Sequence, residues 1–423
     1  MPKINVLIFP AGEINSIELH DALSTCVNIE VFGASSIDRH GEYVFKNYIS
    51  GVPMITDDVF FEKFNLLLKE KNIDVIFPTH DTVAMFLTEN KDKINAKIIA
   101  ANQETTAICR DKEKTYKSLK DFDFVPKIYN ELTDFPVFIK PKEGQGAIGA
   151  KLLKSKKDIP DIDFKDYVIC EYLPGDEYTV DCLTDKNGDL CVISPRSRQR
   201  LMAGVCVAGK TEALTSEIKN IAEKINAILS FEGLWWFQIK KDQNNKWKLL
   251  EISTRCAGTM CLTRAKGINL PLLSVYVAMG CDVEVDANQM GVTIDRTLIS
   301  RYKIDYEYDT VYFDFDDTLT INDRVHLPAI RYLYQCKNQN KKIVLLTKHD
   351  SDIYQTFEKY AISPKLFDQI IHITSEKEKS DFINPEKAIF VDNAYQERKK
   401  MQDKYKIPTF DVEGLEVLLD WRI

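Results

Sequence analysis

The sequence predicts an α/β and α+β chain built from three successive domains. Three observations carry this. Apolar runs of strand length alternate with amphipathic segments through the first hundred residues. From about Asp111 the pattern changes to strands that look antiparallel, joined by loops. The first rhythm then returns and runs to the end. At 423 residues the chain is also too long for one typical core. The expected domains are residues 1–108, 109–303 and 304–423.

In the first domain, INVLIFP, IEVFGAS, IDVIFPTH and AKIIAAN read as strands, and IELHDALS and FEKFNLLLKEK as helices. That is a Rossmann-like βαβ rhythm, which argues for an open parallel sheet. No GxGxxG follows the first strand, so a dinucleotide site is not indicated. The expected role is a scaffold lining a cleft at its strand ends.

In the second domain, DKEKTYKSLKDF reads as a short helix. FPVFIKPKEGQGAIGAKLL, YVICEYLPGDEYTVDCL and LCVISPRSRQRL read as antiparallel strands. The helix SEIKNIAEKINAILS follows. WWFQIKK and KWKLLEIS are then joined by the turn DQNN, and another helix is expected near Leu270–Met279.

The composition, 44% hydrophobic and 28% charged, excludes global disorder. A net charge of −8 argues against a general nucleic-acid surface but leaves room for a local phosphate groove. No apolar stretch approaches the roughly 20 residues that span a bilayer. MPKINVLIFP lacks the basic region and cleavage site of a signal peptide. The ten cysteines form no CxxC pair, and most sit in apolar strands or helices, as Cys170, Cys182 and Cys191 do. Reduced, buried thiols in a cytoplasmic protein are expected, with no nucleic-acid or membrane partner.

Lys140 ends a strand and is followed by Gly144, Gly146 and Gly149. Glycines let backbone N–H groups approach phosphate oxygens, and a lysine supplies a point charge. A plain glycine-rich hairpin is the alternative. It is not a Walker loop, because GK[ST] is missing. EYLPGDEYTVD places Glu171 and Glu177 around a turn, where a carboxylate can take ribose hydroxyls; two solvated surface acids are the alternative. Gln238 and Glu251 lie on two strands joined by a short turn. They can face one point, with oxygen donors that suit magnesium. Arg255, four residues after Glu251, is near enough to clamp a transferring phosphoryl group.

This order of residues resembles the ATP-grasp superfamily, most closely its carbamoyl-phosphate-synthase-like branch, over roughly residues 1–300. The resemblance implies ATP and Mg2+ as cofactors. It implies that Lys140 and the loop Gly144–Gly149 bind ATP phosphates. Glu171, Tyr172 and Leu173 would face the adenine, Glu177 the ribose, and Gln238 and Glu251 the magnesium. The family pattern E-x-N-x-R is here Glu251-Ile252-Ser253-Thr254-Arg255, so Ser253 stands where an asparagine usually ligates metal. A hydroxyl is a weaker donor than an amide oxygen, so one metal site is expected to be altered. The family phosphorylates a carboxylate, and an amine or thiol then displaces the phosphate. Arg196, Arg198, Arg200 and Lys210, close to glycines, suit capture of the acid. A solvated basic strand edge is the alternative.

In the third domain, VYFDFDDTLT reads as a strand over Val311–Phe315 that delivers Asp314 and Asp316 on one face. Two like charges so close need a cation between them, or a proton on one of them. Magnesium with a phosphoryl group meets that need. Asp314 would be the nucleophile, Asp316 the acid–base, and Thr318 would fix the turn. An acidic turn after a strand is the alternative. KKIVLLTKHD ends a second strand in Thr347, EKEKSDFI offers Lys377 and Lys379, and AIFVDNAYQERKK ends a third strand in Asp392 and Asn393, with Glu397 beyond. This resembles the haloacid-dehalogenase-like phosphatase superfamily over about residues 308–423. The resemblance implies that Thr347 and Lys379 bind phosphate, Lys379 being preferred to Lys377. Asp392, with Asp314 and Asp316, would hold Mg2+. Only 28 residues separate Thr318 from Thr347, so the Rossmannoid domain is expected to be capless, with the ATP-grasp part closing its site or a large substrate filling it.

The resulting expectation is a bifunctional enzyme, an ATP-dependent carboxylate–amine ligase joined to a magnesium-dependent phosphatase. It would act on a small-molecule acid, an amine and a phosphorylated small molecule, with a homodimer left open. The alternative is a phosphatase regulated by a degenerate, nucleotide-binding ATP-grasp domain.

Overall fold

Strand β1 (Ile4–Phe9) sends Val6 and Ile8 into one core cluster and Leu7 and Phe9 into another. A strand apolar on both faces belongs in the middle of a covered parallel sheet. In the computed structural model it pairs in parallel with β2 (Ile29–Ala34) and β4 (Val75–Pro78). The flanking strands are β3 (Asn47–Ile49) and β5 (Lys97–Ile98), giving the order β3-β2-β1-β4-β5. Four of these strands were expected. β3, with three residues, is too short to show a period. The structure describes residues 3–144, 147–202 and 204–422. The chain divides into two compact units, Met1–Leu298 and Ile299–Ile423.

Within the first unit, helices α1 (Ile14–Leu23), α2 (Phe60–Glu70) and α3 (Asp81–Glu89) accompany the parallel sheet. α4 (Gln103–Arg110) then leads to α5 (Lys112–Ser118). Asp111 caps α5, its carboxylate accepting from the backbone N–H groups of Glu113 and Lys114.

Two antiparallel sheets follow. The first holds β6 (Ile128–Tyr129), β7 (Val137–Pro141), β8 (Lys151–Leu153) and β9 (Tyr167–Glu171) in the order β6-β9-β7-β8. The second draws on β10 (Glu177–Thr184), β11 (Leu190–Ser197), β14 (Gly233–Lys241) and β15 (Trp247–Ser253), ordered β11-β10-β14-β15. A small third sheet joins β12 (Arg200–Met202), β13 (Val205–Lys210) and β16 (Thr293–Asp295). Helix α6 (Ser216–Ile228) buries Ile218, Ile221, Ala222 and Ile225, the spacing of one helical face. These residues share a core cluster with Trp235, which stacks on Phe231 at 4.0 Å. The expected turn at Asp242–Asn245 is present, Asp242 accepting from the N–H groups of Asn244 and Lys246. Helices α7 (Cys261–Ala265) and α8 (Leu270–Ala278) complete the unit.

The second unit is a parallel sheet in the order β21-β20-β17-β22-β23. Its strands are β17 (Thr310–Phe313), β20 (Lys342–Thr347), β21 (Gln369–His372), β22 (Ala388–Val391) and β23 (Thr409–Phe410), with a hairpin of β18 (Thr320–Ile321) and β19 (Arg324–Val325) after β17. Helices α9 (Leu327–Asn338), α10 (Ile353–Lys359), α11 (Tyr395–Tyr405) and α12 (Leu415–Leu418) connect and cover it. β17 stops at Phe313, two residues earlier than the sequence suggests. The chain turns there, with Asp317 at φ +52°.

All ten cysteines are free thiols, but Cys191 is exposed rather than buried. Among the described residues, no helix is long and apolar enough to cross a membrane.

Candidate active sites

In the first unit, Arg196, Thr179, Gln238 and Glu251 stand opposite one another across β11, β10, β14 and β15. All four line a cavity of about 410 Å³. Their sequence neighbours Val180, Phe237 and Ile252 point into the core on the other face. Strand alternation alone therefore delivers this polar row. The side-chain oxygen of Thr179 is buried without a hydrogen-bond partner among the described residues.

Lys140, at the end of β7, lies in the cavity wall and donates to the Tyr116 hydroxyl (2.6 Å) and the Leu250 carbonyl (2.9 Å). Burial raises the Tyr116 pKa well above its ordinary value, so it stays a neutral phenol. Lys112, unremarked in the sequence, opens α5 and reaches within 3.7 Å of Glu251. Burial lowers its pKa, and Glu251 pulls the other way. Its only sequence signal is a lysine directly after a helix-capping aspartate.

Gly144 lines the cavity. Gly149 sits at φ +76°, and a Cβ there would come 2.9 Å from Pro141, so glycine is required. Gly146 lies outside the described residues. Glu177 lines the cavity, but Arg198 (2.8 Å) and Lys240 (3.1 Å) hold its carboxylate. Glu171, Tyr172 and Leu173 are not among the residues lining it. Glu171 accepts from the Lys127 N–H at 2.8 Å, Tyr172 is exposed, and Leu173 is buried.

The cations expected to capture an acid are engaged. Arg196 is buried, bidentate to Asp181 at 2.8 and 3.0 Å, and donates to Thr259. It is not a solvated strand edge. Freeing it for a substrate would strand the buried Asp181 charge. Lys210 is half exposed, 3.5 Å from Glu212, and off the cavity wall. Arg255 donates to both carboxylate oxygens of Asp81 at 2.9 and 3.0 Å, and Ser253 donates to the same carboxylate at 3.1 Å. Asp81 opens α3, just past the end of β4. Its signal was present in IDVIFPTHD, a strand whose carboxyl end carries an acid.

In the second unit, Lys379 donates to Asp314 and Asp392, each at 2.6 Å. All three are buried. Burial pushes the Asp314 carboxyl up to about 6 against the pull of Lys379, and burial raises Asp392 too. Burial works to lower Lys379, but the two carboxylates outweigh it and hold it above its usual value. Thr347, ending β20, is buried, and its hydroxyl has no hydrogen-bond partner among the described residues. Thr318 ties the turn as expected, accepting from the Asn393 N–H at 3.1 Å and approaching Asp314 at 3.4 Å.

The shared face expected for Asp314 and Asp316 is absent, because the strand ends before either residue. Asp314 turns inward. Asp316 is half exposed, and His349 Nδ1 lies 2.9 Å from both of its oxygens. Among the described residues no three of His, Cys, Asp and Glu gather as a metal site. Asp314, Asp316 and Asp392 therefore do not form the trio expected. Lys377 is exposed, which leaves Lys379 as the lysine at the site. Glu397 lies 3.4 Å from Lys400.

A family model described as ATP-grasp in the biosynthetic pathway with Ter operon matches residues 163–297. Among solved structures, N5-carboxyaminoimidazole synthetase from Staphylococcus aureus, complexed with ADP, superposes with a TM-score of 0.55 at 16% identity. That match covers 67% of this chain and 79% of the other. The larger unit has an ATP-grasp fold.

The curated relatives of the chain agree. Carbamoyl-phosphate synthase of Methanobrevibacter smithii is 26% identical over 243 residues, half of this chain and 65% of the relative. The 3-methyl-D-ornithine–L-lysine ligase of Methanosarcina barkeri is 25% identical over 151 residues, 35% of this chain and 40% of the relative. The chain thus spans less than two thirds of the length of either. The ATP-grasp unit places an amide oxygen and a carboxylate in register at the cavity wall, with two lysines beside them. That donor set fits magnesium and a polyphosphate. Ser253, by contrast, is turned to Asp81.

Proposed function

We propose that the ATP-grasp unit is an ATP- and Mg2+-dependent ligase that joins a small-molecule carboxylate to an amine through an acyl phosphate. The observation that carries this is the cross-strand pair Gln238–Glu251 in one cavity with Lys112 and Lys140. Magnesium bound there would neutralise phosphate charge at the transferring group. Gln238 and Glu251 would hold it, and Lys112, Lys140 and the loop bearing Gly144 and Gly149 would position the phosphates. An acyl phosphate carries a good leaving group where a carboxylate has none, so an amine can displace it. The lysine ligase among the relatives supports an acid and an amine of amino-acid character. Of the three guanidinium groups on the cavity wall among the described residues, we assign Arg198 to the acid and Arg255 to the phosphoryl group, each reaching the substrate from its ion pair with Glu177 or Asp81.

For residues 304–423 we propose a phosphatase. Asp314 attacks phosphorus, Asp316 protonates the leaving oxygen, and Thr347 and Lys379 bind phosphoryl oxygens. Magnesium, which takes one or two carboxylates together with substrate phosphate, fits Asp314 and Asp392. The buried Asp314–Lys379–Asp392 cluster supports this reading, as does Thr347, which ends the strand paired with β17 and whose buried hydroxyl has no hydrogen-bond partner among the described residues.

Full-length protein supplied with MgATP, a panel of amino acids and a panel of phosphate esters tests both. ADP formation is expected to need an acid and an amine and to vanish in Glu251→Gln. Ester hydrolysis is expected to vanish in Asp314→Asn alone. Loss of both activities in either variant would refute two independent sites. Ser253, committed to Asp81, favours one alternative, a nucleotide-binding sensor that regulates the phosphatase. MgATP binding without turnover across the panel would select it.

A further inference from the structure

His349 follows β20 by two residues and was not singled out in the sequence, yet it is held on every side. Its Nδ1 meets both oxygens of Asp316 at 2.9 Å. Its Nε2 meets the Thr356 hydroxyl at 2.9 Å and the Ser351 hydroxyl at 2.7 Å. Its carbonyl oxygen lies 2.6 Å from His372 Nε2. Its ring packs against that of Phe315 with centroids 5.4 Å apart and planes at 66°. The imidazole side chain is only 13% exposed, whereas Asp316 is 51% exposed. A half-exposed aspartate in a turn would ordinarily sample several rotamers. Here a ring fixed at both nitrogens selects one.

We propose that His349 is a positioning residue for Asp316, setting the carboxyl group that serves the leaving oxygen. The inference rests on the phosphatase reading above. In that reaction an Asp314 oxygen forms a bond to phosphorus while the bond to the ester oxygen breaks. The departing oxygen takes the proton of Asp316. Water then attacks the aspartyl phosphate and gives a proton back to Asp316, and the bond between Asp314 and phosphorus breaks. The sum is ester plus water to alcohol plus phosphate. Only the first step depends on leaving-group basicity, because a phenolate stabilised by a nitro group departs without help. Misplacing Asp316 should therefore harm poor leaving groups selectively.

The test is the full chain with phenyl phosphate and 4-nitrophenyl phosphate as probes. General acid catalysis is typically worth 10²–10⁴-fold, so His349→Ala is expected to lower kcat/KM for phenyl phosphate by about 10²-fold. The nitro ester should lose less than about tenfold. His349→Asn, which keeps a polar hydrogen-bonding group near the Nδ1 position, should recover part of the loss. It also serves if the alanine variant folds poorly. Asp316→Asn should show the same selectivity, and adding His349→Ala to it should cost little more. Equal losses on the two esters, or full additivity with Asp316→Asn, would overturn the positioning role while leaving the phosphatase reading intact. Wild-type protein that hydrolyses neither ester would sink both.

Discussion

Asp81 and Arg255 form a two-point ion pair, at 2.9 and 3.0 Å, that ties the start of α3 to the chain just past β15, the strand that carries Glu251. The two residues are 174 positions apart in sequence. Both side chains are mostly buried, so the pair is screened little by water. Ser253 leans on the same carboxylate. The start of α3 is therefore held against the end of the strand that carries Glu251.

Breaking that pair should cost stability as well as activity. Removing one partner of a buried ion pair typically costs about 3–5 kcal/mol. Asp81→Asn and Arg255→Lys are each expected to lower urea-unfolding stability by about 2 kcal/mol or more, and the double variant to lose less than their sum. Strict additivity would show that the two side chains do not act together.

Glu251→Gln should weaken MgADP binding by at least about tenfold and leave metal-free ADP binding in EDTA nearly unchanged. Isothermal titration with and without magnesium reads the difference. An equal loss in both conditions would remove Glu251 from the metal.

Arg196→Ala is expected to destabilise the first unit by about 3–5 kcal/mol, because it leaves Asp181 charged, buried and unpaired. Lys210→Ala, at a half-exposed position, should stay within about 0.5 kcal/mol. Denaturation curves compare the two. A folded, stable Arg196→Ala protein that has lost only its affinity for the acid would restore Arg196 as a substrate ligand.

Asp314 gives the second unit a pH dependence. Its folded pKa, about 6, lies above the ordinary value of 3.8. The folded state thus binds more protons than the unfolded chain between these values, and stability falls as pH rises through that window. In the presence of EDTA, the slowest-exchanging amides of β17 and β20 should open more readily at pH 7.5 than at pH 5. Asp314→Asn should flatten that difference. Hydrogen exchange with mass spectrometry measures it, and an equal slope in the variant would reject Asp314 as its source.

Much of the candidate chemistry was legible because it follows from local periodicity. Two strands joined by DQNN put Gln238 and Glu251 in register, and the alternation of β14 and β15 turned both toward one cavity. Lys379 could be preferred to Lys377 from its neighbours, and its burial agrees with that choice. Arg196 misled because an arginine in a strand reads alike whether it faces solvent or a carboxylate. Its partner, Asp181, lies on the adjacent strand and announces nothing. His349 and Lys112 carried no motif, since their importance lies in what they touch.

From sequence alone come the alternating α/β blocks, the glycine loop after Lys140 and the order of Asp314, Thr347, Lys379 and Asp392 along the last of those blocks. Hydrophobic period, turn residues and short-range spacing are local properties of a chain. The tertiary structure alone decided which charges are free. It gave Arg196 to Asp181, Arg255 and Ser253 to Asp81, Lys379 to two carboxylates, and Asp316 to His349. Electrostatic partners are chosen by distance and burial in space, and residues far apart in sequence meet only once the sheets have formed.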